Sequence, residues 1–388
     1  MSEIKVNSIK GVGASTAAIT VNNSDGTCTA NITNNLSNRN VIVNGGCLVA
    51  QRGTSSTSNG YGSVDRMKMS VSNTDELAFA QKQTSDGPDG FKKCFEFDVT
   101  TAESALAADE LVYLKYLVEA QDLVPFYNAN GTGKNFTLSF YVKAHQAGTY
   151  QVGIYKADNT VRFITKTYTI ASSGVWQRVE LNFTGDTGTS GIDADNDTGF
   201  QIHWVLGAGT NFTSGTPQTT WGSYGNTLFA AGQAVNVLSS TDNYWRITGI
   251  QLELDSGSGK ATDFEHRSFA QELALCQRYY QTIGVGFITA CRGASSSQLL
   301  YSYTPPVNMR ASPTISTTAT GFHSSFGVRS YRDGSGTSDS TTTPATVSLY
   351  WQEINPTIHL TQTGFSVTDD RSATIFVNGG AITLSAEL

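Results

Sequence analysis

The chain has little charge, and positive charge is the scarcer kind. Asp, Glu, Lys and Arg make up only 15% of its 388 residues, and 25 basic against 32 acidic residues give a net charge of −7. A protein that binds a phosphate backbone usually carries a basic surface. The composition therefore argues against nucleic acid as a direct partner.

Cysteine is also scarce, and its positions do not form a motif. The five cysteines are Cys28, Cys47, Cys94, Cys276 and Cys291. There is no CxxC pair and no Cys/His cluster, so no structural metal site is predicted. An odd number of widely spaced cysteines is typical of free thiols in a chain that folds in a reducing cytosol.

Long apolar runs and common catalytic motifs are missing too. The longest apolar candidate, LVYLKYLV, is interrupted by Lys115, and MSEIKVNSIKG has no apolar signal segment. A membrane helix needs roughly 20 apolar residues. We therefore expect a soluble protein that is made in the cytoplasm and not inserted in a membrane. The sequence contains no HExxH, GxSxG or GxxxxGK[ST] motif, and we predict that it is not an enzyme.

Alternating apolar and polar residues are abundant. In GKNFTLSFYVKA, Phe136, Leu138, Phe140 and Val142 alternate with polar neighbours, which is typical of a strand with one buried face. Similar runs separated by turn residues predict an all-β protein with a jelly-roll-like antiparallel β-sandwich over residues 41–260. A second, small C-terminal β-sandwich is predicted over 283–388, with a break at 333–344. Residues 103–118 fit either a helix or a strand.

Residues 1–40 are poor in aromatic side chains and rich in Asn, Ser, Thr, Gly and Ala. So few large apolar groups seldom form an independent core. We expect a segment that attaches to another protein or to sister chains; a loose leader is the alternative.

One short amphipathic helix is predicted in the linker at 261–282. Ser268, with Gln271 three residues later, has the pattern of a capping box. Apolar residues fall on two sides of this helix, so it has two surfaces to cover. One could be its own sandwich and the other a neighbouring copy. The predicted interface residues are Phe269, Leu273, Leu275, Cys276, Tyr279 and Tyr280.

Two loops carry candidate binding residues. The loop at 216–229 contains Trp221, Tyr224, Asn226 and Gln218, and Tyr61 lies in a second Gly-rich loop. Exposed aromatic rings with nearby amides suit a sugar, which has an apolar face and a polar rim. In the alternative interpretation, Trp221 closes the end of the sandwich.

A cluster of aspartates is the candidate metal site. Asp193, Asp195 and Asp197 alternate in a loop that could hold calcium, but the loop lacks the Gly and the Glu of an EF-hand. A solvated polar loop is the alternative.

Several segments together resemble a known protein family. They are NGGCLVAQR (44–52), VEAQDL (118–123), GKNFTLSFYVKA (133–144), GTYQVGIY (148–155), ITGIQLELDSGSGKATDFEHRSFAQELALCQRYYQ (247–281) and GGAITLSAEL (379–388). The set resembles bacteriophage tail-fibre-like virion proteins, in which a sandwich similar to carbohydrate-binding modules precedes an "ATxFExRSFxxELxxCQRYY" helix. The opening MSEIKVNSI looks like that of marine-phage appendage proteins.

The resemblance implies a non-enzymatic virion protein, commonly a homotrimer, whose β domains contact host surface polysaccharide. It also implies a strand at 111–121. The alternative is a head fibre or a capsid or neck decoration protein with a purely structural role. A polysaccharide depolymerase is a third hypothesis, because the paired carboxylates that it needs only have to converge in space.

Overall fold

In the computed structural model, the described residues are 8–9, 12, 19–21, 24, 28–30, 38–255, 259–284, 288–295, 298–317, 326–331, 337–340, 347–350, 358–363, 372–377 and 381–388. The predicted all-β architecture is confirmed: the described strands form antiparallel sheets, and the described helices are few and short. None of the helices described is long and apolar enough to cross a membrane.

Three short strands form the first sheet: β1 (Ser8–Ile9), β2 (Ile19–Val21) and β3 (Cys28–Ala30). Most of the predicted attachment segment lies outside the described residues. Ile9 is largely exposed.

The strands of the sandwich follow in chain order. They are β4 (Ser55–Ser56), β5 (Gly60–Tyr61), β6 (Lys68–Ser72), β7 (Ala78–Thr84), β8 (Cys94–Thr101), β9 (Leu111–Glu119), β10 (Phe136–Ala144), β11 (Gly148–Lys156), β12 (Arg162–Ile170), β13 (Gln177–Phe183), β14 (Thr198–Ala208) and β15 (Tyr244–Leu254). Sheet 1 has the order β13-β10-β15-β8-β7-β4, and sheet 2 has the order β12-β11-β14-β9-β6-β5.

The core lies between the two sheets and is built from the alternating residues of each strand. Phe136, Leu138, Phe140 and Val142 of β10 are buried there, as the alternation predicts. Trp204 of β14 contacts Phe140 across the core, with ring centroids 5.9 Å apart. Full burial of one such side chain contributes about 1.5–3 kcal/mol.

Helices are few in the described part of the chain. α1 (Ala120–Leu123) and α2 (Thr210–Thr213) are single turns, whereas α3 (Phe269–Gln277) is the predicted linking helix. Short 3₁₀ turns occupy Val124–Phe126, Asn226–Leu228 and Val237–Ser239. The capping box is confirmed, since the Ser268 hydroxyl accepts from the Gln271 N–H and the Gln271 side chain accepts from the Ser268 N–H. The strand expected at 111–121 ends at residue 119, where α1 begins.

A second β unit follows α3. Its strands are β16 (Tyr280–Ile283), β17 (Ile288–Ser295), β18 (Gln298–Tyr303), β19 (Thr314–Thr317), β20 (Phe326–Tyr331), β21 (Thr337–Ser340), β22 (Val347–Tyr350), β23 (Ile358–Thr363), β24 (Ser372–Val377) and β25 (Ile382–Ser385). They form a three-stranded sheet, β16-β25-β19, and a seven-stranded sheet, β21-β20-β24-β17-β18-β23-β22. β21 lies inside the predicted break at 333–344. The sequence does not predict this strand because TSDS has no alternation of apolar and polar residues.

The end of the chain packs against the sandwich. Glu387 pairs with Arg66, which is 1% exposed, and with Arg52 at 3.1 Å. The Arg66 guanidinium also lies 3.5 Å from the ring centroid of Tyr279. A charge this deeply buried is tolerated only when it is paired. The contact therefore fixes the segment that follows β25 to the loops that precede β6.

Candidate functional site

The outer face of sheet 2 carries a row of large polar and aromatic side chains. Tyr61 lies opposite Lys68, Lys68 lies opposite Lys115, and Lys115 lies opposite His203. Residues directly paired across strands share one face of a sheet. The row therefore crosses four strands, a span of about 14 Å at the usual strand spacing.

A long connection, residues 209–235, covers one half of this outer face; we call it the strap. Its backbone pairs with β12, where Phe163 and Gly222 exchange hydrogen bonds and the Thr165 N–H donates to the Gln218 carbonyl. Phe229 of the strap packs over the sheet, with its ring centroid 4.8 Å from that of His203. The strap thus adds a small second core outside the sandwich.

Several tyrosines lie at the edge of the area of sheet 2 that the strap covers. The Tyr224 ring on the strap lies 5.4 Å from that of Tyr155, and the Tyr113 ring lies 5.1 Å from that of His203. Tyr224 is 37% exposed, and Tyr113 and Tyr155 are half-buried. Gln201 lies opposite Tyr155. We define the tyrosine face as Tyr61, Tyr113, Tyr155, Tyr224, Lys68, Lys115 and Gln201.

Burial shapes the charges on the tyrosine face. It lowers the pKa of Lys115, and the neighbouring Lys68 lowers it further. Burial, with Lys115 nearby, also holds the pKa of His203 well below its usual value, so this imidazole is neutral at pH 7. Burial raises the pKa of Tyr224, whose hydroxyl stays protonated. The face thus offers neutral rings and hydroxyl groups around a lysine ammonium.

Polar atoms without hydrogen-bond partners lie on the part of the sheet that the strap covers. They are both side-chain amide atoms of Gln151, Oγ1 of Thr165 and Nδ1 of His203. Gly153 lies between Thr165 and His203 in the ladder, two residues from Gln151. An unpaired buried polar group costs about 1–3 kcal/mol. The covered surface is therefore chemically unlike the apolar core between the sheets.

Trp221 was predicted to bind sugar at the surface, but its side chain is buried. Its side chain is 8% exposed, its Nε1–H donates to the Thr184 carbonyl at 2.7 Å, and its ring lies 5.9 Å from that of Phe200. This corrects the prediction that Trp221 stacks on a ligand. It closes the end of the sandwich, as in the alternative interpretation.

Gln218 and Asn226 have local roles in the strap. The Gln218 Nε2 donates to the Phe163 carbonyl at 2.6 Å, which fixes the strap to β12. Asn226 begins a 3₁₀ turn, in which its carbonyl accepts from the Phe229 N–H, and its side chain is exposed. Of the loop residues predicted to bind sugar, Tyr224 is the one that joins the tyrosine face.

Tyr61 was predicted from a different loop and lies in the same row as Lys115. Its ring is 5.0 Å from the Lys68 ammonium, and its hydroxyl donates to the Leu388 carbonyl at 3.4 Å. Sequence reasoning missed Tyr113, Tyr155, Lys115 and Gln201. Their alternation within strands was visible, but which loop covers which face was not.

The six predicted interface residues divide into exposed and buried sets. Phe269 is 57% exposed and Leu275 is 37% exposed, whereas Leu273 is half-buried. Cys276, Tyr279 and Tyr280 are buried within the chain. The prediction that all six residues lie on one continuous helix is wrong, because α3 ends at Gln277 and Tyr280 begins β16. The interface prediction now depends on Phe269 and Leu275.

The three aspartates of the candidate calcium site each have a different partner. Asp195 accepts from the Asp197 N–H at 3.0 Å, Asp193 accepts from the Asn159 amide at 3.3 Å, and Asp197 lies 3.8 Å from Arg310. Their geometry gives the calcium prediction no support. Among the residues that the structure describes, the acidic group whose oxygens converge within 4.8 Å is Asp75, Glu103 and Glu110.

Two cavities lie away from the tyrosine face residues. One of about 260 Å³ lies where the linker meets sheet 1, between Phe91 and Phe264. Its charged side chains are used structurally: Arg267 donates to the Ile42 carbonyl and pairs with Glu272 at 3.1 Å. A wider cleft of about 550 Å³ lies between the loops at 128–131 and 189–192.

No protein-family model matches the chain, and no curated protein does either. Among solved structures, the chain is similar to the enzymatically active domain of tailspike protein 4 of bacteriophage CBA120, with a TM-score of 0.30 and 12% identity. This similarity covers 56% of the chain and 22% of that domain's chain, about a fifth of its length.

Two carbohydrate-binding modules are similar over nearly their whole length. The family 11 module of a Clostridium thermocellum cellulosomal cellulase gives a TM-score of 0.27 at 13% identity, covering 52% of this chain and 95% of that one. TmCBM61, solved with β-1,4-galactotriose, gives 0.28 at 11% identity, covering 56% and 99%.

Proposed function

We propose that the chain is a bacteriophage virion appendage protein whose sandwich contacts host surface glycans through the tyrosine face, without cleaving them. The observation that carries the binding proposal is the gathering of Tyr61, Tyr113, Tyr155 and Tyr224 on one partly exposed sheet face. Tyr224 comes from the strap, and the other three come from strands β5, β9 and β11, which are distant in sequence.

The chemistry of the tyrosine face suits a saccharide. A tyrosine ring can pack against the apolar face of a sugar while its hydroxyl remains available for a hydrogen bond. Gln201 adds an amide, which can donate and accept. The site is shallow and crosses several strands, so it fits an extended chain of sugars better than a single small molecule.

The virion assignment rests on the sequence resemblance, which is most specific at 247–281. The strand, linker and capped helix of that segment occur in the order that the resemblance implies, as β15 and α3. Glycoside cleavage normally needs two carboxyl groups on either side of the bond. The row from Tyr61 to His203 contains no carboxylate, and we therefore propose binding without catalysis.

Glycan binding is tested with the full chain on an array of host surface polysaccharides. We expect binding in the wild type and a loss of about tenfold or more in affinity for Tyr224→Ala, since a buried aromatic contact contributes roughly 1.5–3 kcal/mol. Tyr141→Ala is the matched control, because Tyr141 is a half-buried tyrosine on sheet 1. Silence across the array, or equal losses in both variants, contradicts the proposal.

The second candidate is a head fibre or capsid or neck decoration protein with a structural role. The exposed Ile9 in the N-terminal sheet favours it, since apolar side chains there are available to another virion protein. Labelling the protein on imaged virions separates the two proposals. A position at the tail tip supports host contact, and a position on the capsid supports the structural role.

A further inference from the structure

Basic side chains on the outer face of sheet 1 have carboxylate partners, and even Lys143 and Arg246, which lie directly opposite each other, both contact Asp86. Lys82 lies opposite Glu96 in the ladder and contacts Asp98 at 2.6 Å. Arg246 lies opposite Glu96 and pairs with it. Lys143 contacts Asp86 at 2.8 Å. Opposite charges facing each other across strands stabilise a sheet.

The tyrosine face on sheet 2 breaks this pattern. Lys68 and Lys115 lie directly opposite each other on β6 and β9. Within the described residues, Lys115 forms no ion pair, and no hydrogen bond of its ammonium is found. The Lys68 ammonium lies 3.5 Å from the terminal oxygen of Leu388, so Lys115 is the lysine of this pair that lacks a partner. Two like charges are thus held together on a half-buried surface.

This arrangement costs stability in the free protein. Like charges directly opposite in a sheet repel, and partial burial disfavours each ammonium further. The lowered pKa of Lys115 reflects both effects. A bound negative group between the two lysines would remove the repulsion and supply the missing partner.

We propose that Lys115, together with Lys68, binds an anionic group of the saccharide, so that the ligand of the tyrosine face is an acidic glycan. This inference rests on the proposed function. The anionic group is a sugar carboxylate or a sulfate ester, since a lysine ammonium is a point charge that accepts either. Tyr61 on one side and Tyr155 on the other then contact the neighbouring sugar rings. Because the protein has a net charge of −7, an acidic glycan would be attracted by these two lysines and not by the overall charge of the protein.

The test compares three trisaccharides by calorimetry with the full chain: trigalacturonate, a sulfated galactotriose and neutral β-1,4-galactotriose. We expect an acidic probe to bind about tenfold or more tightly than the neutral one, as a charge-assisted hydrogen bond contributes about 1.5–3 kcal/mol. Which acidic probe binds distinguishes the carboxylate from the sulfate.

Lys115→Gln is expected to abolish the preference for the acidic probe, so that the acidic and neutral probes bind this variant with equal affinity. Its melting temperature should equal or exceed that of the wild type, because the repulsion with Lys68 is gone. Lys92→Gln changes the net charge equally at an exposed position lining the cavity at sheet 1, and should keep the preference.

Equal affinity for acidic and neutral probes, equal losses in both lysine variants, or no binding of any probe overturns the inference. Tyr224→Ala separates it from the proposed function. If Tyr224→Ala weakens galactotriose but no acidic preference exists, the glycan contact stands and the anion site falls. If acidic binding requires Lys115 and ignores Tyr224, the anion site stands and ring stacking at Tyr224 falls.

Discussion

Trp221 and Tyr224 are three residues apart in one loop, yet their side chains take opposite environments. Arg162 donates to the Trp221 carbonyl and Thr184 accepts from its indole, so the ring is drawn inward. Tyr224 instead leans edge-on against Tyr155 and stays partly exposed. Both environments are set by residues about 40 to 70 positions away in the chain. The loop sequence alone therefore identifies Trp221 and Tyr224 as candidate binding residues but does not show which of the two rings is buried.

Glu119 illustrates how a single buried charge sets the acid response. Burial alone would raise its pKa, but hydrogen bonds from Arg278 outweigh burial and hold the pKa below the usual value. The pair is bidentate, with both contacts at 2.8 Å, and the Glu119 side chain is inaccessible to solvent. It joins the end of β9 to the residue that follows α3.

Glu119→Gln is expected to lower the unfolding free energy at pH 7 by about 1.5–3 kcal/mol, because a charge-assisted pair is lost. A depressed carboxyl pKa adds stability above the unfolded-state pKa, and this stability disappears as pH falls through the folded-state pKa. The difference between wild-type and variant stabilities should therefore begin to shrink as pH falls below the unfolded-state glutamate pKa of about 4.3. Urea unfolding at pH 7, 5 and 3.5 measures this; a constant difference would contradict it.

Strands were the elements most readily predicted from sequence, because their signal is local. Alternation in β10 and β14 reflects one buried face, and both form as expected. The prediction failed where a short polar strand, β21, pairs without that alternation. It also failed at the end of α3, where apolar residues continue past Gln277 into β16 and mimic a longer helical stripe.

The strap marks the limit of sequence reasoning about the candidate site. The backbone pairing of Phe163 with Gly222 and of Thr149 with Ala234 decides which half of sheet 2 is covered. These contacts are between segments with no shared pattern. The tyrosine face exists because the strap covers Leu111 at the start of β9 but leaves Tyr113 and Lys115 half-exposed, and no local signal at these residues reports this.

The N-terminal cap of α3 makes a separate prediction at the level of the element. Ser268→Ala removes the hydroxyl that accepts from the Gln271 N–H, and we expect the unfolding free energy to fall by about 1 kcal/mol. Ser172→Ala, at an exposed loop position, is the control and should have little effect. Urea unfolding of both variants provides the comparison. Equal stability of the two would show that the capping box contributes nothing.

The whole molecule is predicted to associate through the outer side of α3. Phe269 and Leu275 are both exposed on this helix, about 120° apart around its axis, and a neighbouring copy could cover these apolar side chains. We expect a homotrimer in solution that dissociates in the Phe269→Ser, Leu275→Ser double variant. Light scattering at micromolar concentration measures the mass. A stable wild-type monomer, or a variant that remains trimeric, would contradict this prediction.

The pairing of Arg66 with Glu387 has a consequence for how the chain is made. The two residues are 321 positions apart, and Arg66 is enclosed by Tyr116 and Tyr279. Until the ribosome has produced the later strands, the Arg66 guanidinium has no counter-ion at a position that is buried from water in the folded chain. We expect the sandwich to reach its stable folded state only after residue 387 has been synthesised. Folding of the sandwich thus depends on a residue that lies 321 positions later in the chain than Arg66.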